Sequence, residues 1–202
     1  MRTQIIVLHR YAYGDSSWIV KGLSPDVGIL SLLVKGAKAK NSPFRAGIDP
    51  LAHSEIEIRY NKHKGNSSLI IPKEASLRNY FPKMRSNLQS LASAQLMAEI
   101  LLKLGNENSN SFSEKEFKWL LNNLEYLELN SVKENSLSLW LDSLCDILGY
   151  APRLSRAQKE ELWAQKTQRI ESFFLSHLKI HTGALENLKT WDWLLETRRL
   201  SA

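Results

Sequence analysis

Lys35, Lys38, Lys40 and Arg45 place four cations within eleven positions, with no acid among them. Gly36, Ala37 and Ala39 lie between them, so little side-chain bulk separates the backbone from a ligand. Spaced ammonium and guanidinium groups on a loop of small residues suit phosphates, which accept charge-assisted hydrogen bonds. The run lacks the Gly-x-x-x-x-Gly-Lys-Ser/Thr spacing of a P-loop, so nucleotide hydrolysis is not expected of it. Arg10, Arg59, Lys62 and Lys64 could extend the same surface. Tyr11 and Tyr13 read as loop residues free to stack on unpaired bases, at roughly 1–3 kcal/mol per base in single-strand binders. Trp18 and Tyr60 are read as core rings.

Other residue types point away from catalysis. His177 and His181 stand four apart on an expected helix, but no third ligand is near and no Glu follows His177, so no metal site is expected. Cys145 is the only cysteine, which excludes an intramolecular disulfide and a thiolate zinc cluster. Its apolar surroundings imply an inert thiol. There is no Gly-x-Ser-x-Gly elbow and no His-Glu-x-x-His. The chain is therefore read as a binding protein, not an enzyme, with no cofactor.

The elements that must hold these cations are β-type. Short apolar or alternating runs predict strands at residues 4–8, 17–23, 29–34, 52–60 and 67–74. In the fourth, Ile56, Ile58 and Tyr60 alternate with Glu55, Glu57 and Arg59, the period of a strand with one wet face. Ser24-Pro25-Asp26-Val27-Gly28 supplies the turn chemistry between the second and third. Five such strands fit a small closed barrel of the OB type, with a small sandwich as the alternative. From residue 81 onward the pattern is helical. Ser113, Ser131 and Ser155, each followed three residues later by Glu or Gln, open capping boxes. About five helices are expected, including a single one over 155–181, and Gly105, Gly149 and Gly183 are the expected stops. Trp191 and Trp193, two apart, cannot both face one core from a helix, so one is expected at the surface. The fold expectation is α+β: an OB-type nucleic-acid-binding domain over 1–80 and an all-α domain over 81–202.

Charge follows this division. The chain carries 27 Lys+Arg against 21 Asp+Glu, a net of +6. Residues 1–80 hold 12 cations and 6 acids, 12 − 6 = +6, while 81–202 hold 15 of each. The whole excess lies in the β region, the asymmetry of a polyanion-facing part joined to a neutral one. No stretch approaches the ~20 apolar residues of a membrane span, and nothing near Met1 resembles a signal peptide, so a cytoplasmic protein is expected.

The chain resembles the bacterial recombination mediator family RecO. The resemblance rests on Ile6-Val7-Leu8 entering Tyr13-Gly14-Asp15-Ser16-Ser17, on Gly28, on Val34-Lys35-Gly36-Ala37-Lys38 with Ser42 following, and on Leu148-Gly149-Tyr150-Ala151-Pro152. It implies an N-terminal OB fold with a helical C-terminal domain. It implies binding of single- and double-stranded DNA, annealing of complementary strands, recombinase loading with a RecR partner, contact with the acidic tail of single-strand-binding protein, and association with the nucleoid. Many members carry a cysteine zinc site in the C-terminal half, which a chain with only Cys145 cannot build. An adaptor docking an acidic protein tail, or an RNA-binding OB module, would share the same basic barrel.

Overall fold

A computed structural model describes residues 1–44, 47–59, 69–105, 112, 114–130, 132–133 and 135–200. Arg45, Tyr60, Lys62, His63, Lys64 and the capping boxes opened by Ser113 and Ser131 lie outside the described residues, wholly or in part.

Five strands form one antiparallel sheet: β1 (Arg2–Tyr13), β2 (Ser17–Ser24), β3 (Gly28–Val34), β4 (His53–Ile58) and β5 (Pro72–Asn79), in the order β3-β2-β1-β4-β5. The sheet curls until its edges meet at a single parallel bridge, Leu32 to Ile70, where Leu33 N–H donates to the Ile70 carbonyl at 2.8 Å. Among the described residues no ladder continues from it, so the expected closed barrel is corrected to an open one, as OB folds often are. β5 also runs later than expected, because residues 69–71 lead up to that bridge before Pro72 begins the pairing.

β1 is buried on both faces, which explains its unbroken apolar run. Ile5 and Val7 point into the barrel with Val20, Leu30, Leu32 and Ile56. Ile6 and Leu8 point the other way, with Leu23 and Ile29, into the core of the helices. A Cβ on Gly22 would lie 2.2 Å from Ile5 Cδ1, so only glycine lets β2 pass that point. Gly28 has φ +77°, as the turn chemistry required, and a side chain there would also strike the Phe112 carbonyl at 2.8 Å.

The helical half holds seven helices among the described residues: α1 (Pro82–Ser86), α2 (Leu88–Leu104), α3 (Glu114–Leu129), α4 (Ser136–Ile147), α5 (Arg156–Trp163), α6 (Thr167–Thr182) and α7 (Lys189–Leu200). The expected count of five is too low for two reasons. Asn87 interrupts the first helix and caps the next, its side chain accepting from Ser90 N–H at 2.9 Å. The single helix expected over 155–181 breaks at Ala164–Lys166, inside a polar run with no apolar anchor, and Thr167 instead donates to Asn135 Oδ1 at 2.9 Å. The Ser155–Gln158 capping box is present, with both reciprocal bonds. Trp191 and Trp193 are both half-buried against the helical core, flanking buried Leu194, so neither is the surface ring expected.

Two carboxylates cap helices other than their own. Glu128 of α3 accepts from Lys83 and Met84 N–H at the start of α1. Glu99 of α2 accepts from Lys189 and Thr190 N–H at the start of α7. These groups would otherwise be orphan donors. Among the described residues, no helix is long and apolar enough to cross a membrane.

Candidate nucleic-acid interface

A bulge in β1 organises the basic end of the barrel. Val7 pairs with Gly22 but His9 pairs with Lys21, so the register shifts by one residue between them. Such a shift moves every later side chain to the opposite face. Arg10 and Ala12 therefore share the inner face with Val20 and Trp18, and His9, Tyr11 and Tyr13 take the outer face. Unbroken alternation would have sent Arg10 toward the helices with Ile6 and Leu8.

Arg10 reaches the barrel mouth, where its guanidinium carbon lies 4.6 Å from the centroid of the Trp18 ring. Lys38 Nζ lies 5.2 Å from the same centroid and donates to the Gly14 carbonyl at 2.6 Å. Cations this close to an indole are held by the ring quadrupole. Arg10, Trp18, Ala37, Lys38, Lys40 and Asp49 line an open groove of about 550 Å³. Asp49 forms an ion pair with Arg10 across it. Trp18 is half-buried, packed on the barrel core below and facing the groove above, so the core reading of this ring is only half of its role.

The loop after β3 does two jobs. Lys35 and Gly36 are exposed, and Gly36 turns the chain at φ +66° with open space around it. Lys38 N–H then donates to the Ser16 carbonyl, tying the loop to the β1–β2 turn. Ala37 was expected to keep the backbone accessible. It is instead 3 % exposed and plugs the barrel end with Ile48.

The expected site residues divide into separate places. Lys35, Lys38, Lys40 and Arg10 converge at the mouth, since the C-terminal ends of β1 and β3 lie at the same end of the sheet. Tyr11 and Tyr13 are 45 % and 52 % exposed, and they sit on β1 itself, not in a loop; Tyr11 pairs with Ile19 on the outer face. Arg59 is exposed just past β4, at the opposite end, where Ile58 bonds Met1. At ~3.3 Å per residue, about 25–30 Å of β1 separates it from Arg10, so it does not join the mouth.

Ion pairs explain why the charge excess is focused. On the wet face of β4 and β5, Glu57 meets Arg2 and Lys73, Glu74 meets Arg2, and Glu55 meets Arg78. Arg78 and Lys73 hold the Glu55 and Glu57 carboxyls below the usual range. That face balances itself and leaves the mouth basic. Lys21, on the outer face opposite His9 and Ser31, has its ammonium drawn down by burial.

The helical half carries two groups that the sequence singled out, Cys145 and the His177–His181 pair. Burial, followed by Asp142 and Asp146, pushes the Cys145 thiol up to about 12, so it stays protonated and inert. His177 and His181 are neighbours with tilted rings, their centroids 4.4 Å apart, but His177 Nε2 is engaged with the Tyr150 carbonyl at 2.7 Å. Among the described residues, no three His, Cys, Asp or Glu side chains gather as a metal site.

Asp49 and the groove-facing role of Trp18 escaped the sequence reading. Asp49 lies 39 positions from Arg10 and carries no local signal of its partner. Trp18 was legible as an aromatic near cations, but Arg10, a cation set over its ring, reaches it only because of the bulge.

Comparison with known proteins agrees with this architecture. Residues 1–81 match the family model for the recombination protein O N terminal region. The chain is 27 % identical over 161 residues to the DNA repair protein RecO of Salinibacter ruber, covering 79 % of this chain and 60 % of that one. It is 30 % identical over 156 residues to the RecO of Heliobacterium modesticaldum, with 76 % and 53 % covered. For the RecO of Thermodesulfovibrio yellowstonii the values are 29 % over 151 residues, 74 % and 58 %. The chain thus spans between half and three-fifths of the length of these curated relatives.

Proposed function

We propose that this chain, of the RecO family by its N-terminal region, is a non-catalytic DNA-binding mediator of recombination and repair. In this reading it binds single- and double-stranded DNA at the barrel mouth and promotes annealing of complementary strands. The observation that carries it is the gathering of Arg10, Lys38 and Lys40 around one groove beside Trp18, with Lys35 exposed in the same loop. A compact basic mouth neutralises two backbones together, and base pairing between the strands then supplies the sequence recognition. Arg45, Lys62 and Lys64 are proposed as further backbone contacts, with Tyr11 and Tyr13 as stacking rings on the outer flank of the mouth and Arg59 as a remote backbone contact. We take 1–80 as the nucleic-acid-binding unit and 81–202 as the helical unit. A RecR-like protein and the acidic tail of single-strand-binding protein are the proposed partners, and the nucleoid in the cytoplasm is the proposed location.

The test is the salt dependence of oligonucleotide binding. Each phosphate neutralised on single strands contributes about 0.7 to the slope of log affinity against log salt. Replacing Lys35, Lys38 and Lys40 together by Ala should lower the slope magnitude by about 2 and slow annealing of complementary strands. An unchanged slope in a folded triple variant rejects the mouth as the contact. Matched RNA and DNA oligonucleotides separate a DNA reader from an RNA module, because only RNA offers the 2′-hydroxyl.

A further inference from the structure

Asp49 is the sole carboxylate among the described residues lining the groove, and it faces the groove's cations. Its Oδ1 pairs with the Arg10 guanidinium, which Trp18 supports from the side. Its Oδ2 accepts from the Tyr80 hydroxyl at 3.3 Å, just ahead of α1. Tyr80 is in turn braced by Arg85, whose guanidinium lies 4.0 Å from the ring centroid and which donates to the Pro50 carbonyl beside Asp49. The carboxylate is therefore held in place from the helical side and presented to the groove on the other.

We propose that Asp49 is an internal occupant of the anion position in this groove and competes with the nucleic-acid backbone for Arg10. A carboxylate offers a guanidinium the same pair of acceptor oxygens that a phosphate does. The Arg10 and Asp49 side chains remain 30 % and 25 % exposed, and a pair this accessible to water is weak enough to exchange. When a strand enters, its phosphate takes Arg10 while Lys38 and Lys40 hold neighbouring phosphates. Asp49 then turns back toward Tyr80. Binding is weaker and less salt-dependent than the cation count implies, because one cation is already satisfied. The inference rests on the DNA reading of the mouth given above.

The experiment measures binding of a fluorescent oligothymidylate across a salt series, using the full chain. Asp49→Asn keeps the shape and removes the charge. It should tighten binding several-fold at low salt and steepen the slope by about 0.7, the increment of one further phosphate. Arg10→Gln should lower the slope by less than the roughly 0.7 of one phosphate in the native background, where Asp49 offsets that cation, and cancel the gain in the Asp49→Asn background. The idea is overturned if Asp49→Asn weakens binding, since Asp49 would then be orienting Arg10 for the strand. It is equally overturned if the gain persists when Arg10 is absent, since that is a general charge effect. If Asp49→Asn changes nothing while the triple lysine variant flattens the slope, this inference fails and the DNA reading stands. If the triple variant also leaves the slope unchanged, both fall. Thermal unfolding of each variant confirms that folded proteins are compared.

Discussion

At the scale of single residues, position relative to the β1 bulge governs what each side chain can do. His9, just past that bulge, and His53 on β4 show the electrostatics of the outer face. His53 is 8 % exposed, its ring 6.0 Å from Phe117 of α3, with Nε2 bonded to Gln4 Oε1 at 2.8 Å. Burial, and then the charge of Arg78, lowers its pKa below the usual value. Burial also lowers His9, against a smaller opposing effect of Glu99. A histidine depressed in the folded state contributes stability that is complete above its unfolded pKa of about 6.5 and is lost as pH falls through the lower folded value. The urea midpoint should accordingly decline as pH drops below about 6.5. His53→Gln should flatten that decline, and an unchanged pH profile in the variant would remove His53 as its source. Arg10 and the two tyrosines were recognisable as candidate contacts by type. Their faces were not, because a one-residue slip in pairing leaves no mark in composition.

At the scale of elements, the last helix depends on contacts from others. α7 begins on the Glu99 carboxylate of α2 and ends on a bidentate pair between Arg198 and Glu171 of α6, with bonds of 2.6 and 2.8 Å. Glu171 is fully buried, and that guanidinium is its ion-pair partner. Removing one member of a buried pair leaves the other uncompensated, typically at about 3–5 kcal/mol. Arg198→Ala should lower stability by about 3 kcal/mol, toward the low end because Arg198 keeps some contact with water. Urea unfolding measures this, and a loss below 1 kcal/mol would show that α7 is held by apolar packing alone. Helical periodicity revealed most of these segments. It missed the breaks at Asn87 and Lys166, where a side-chain cap or a tertiary hydrogen bond outweighs local propensity.

At the scale of the molecule, strands and helices share a core. Ile6, Leu8, Leu23 and Ile29 leave the barrel face and enter the helical cluster. Side chains of this kind gain roughly 1.5–3 kcal/mol each on burial. Four of them together approach the whole stability of an ordinary domain, about 5–15 kcal/mol. The unit proposed for 1–80 should therefore not fold stably alone. Expressed by itself, it should bind a hydrophobic dye and unfold without a cooperative transition. A sharp transition matching that of the full chain would show that the barrel core suffices.

The sequence by itself determined the class of each half, the basic character of the first and the absence of familiar catalytic motifs. These follow from short-range periodicity, turn chemistry and composition, which local physics reads directly. The four-residue apolar run in β1 was visible, yet the helical layer covering its second face was not. Tertiary structure alone decided that Arg10 turns inward, that Ala37 plugs the barrel, that Arg59 stands at the far end and that Asp49 closes on Arg10. Each of these depends on strand register or on a contact spanning tens of residues. The sheet's pairing geometry sets such contacts, and no local preference encodes them.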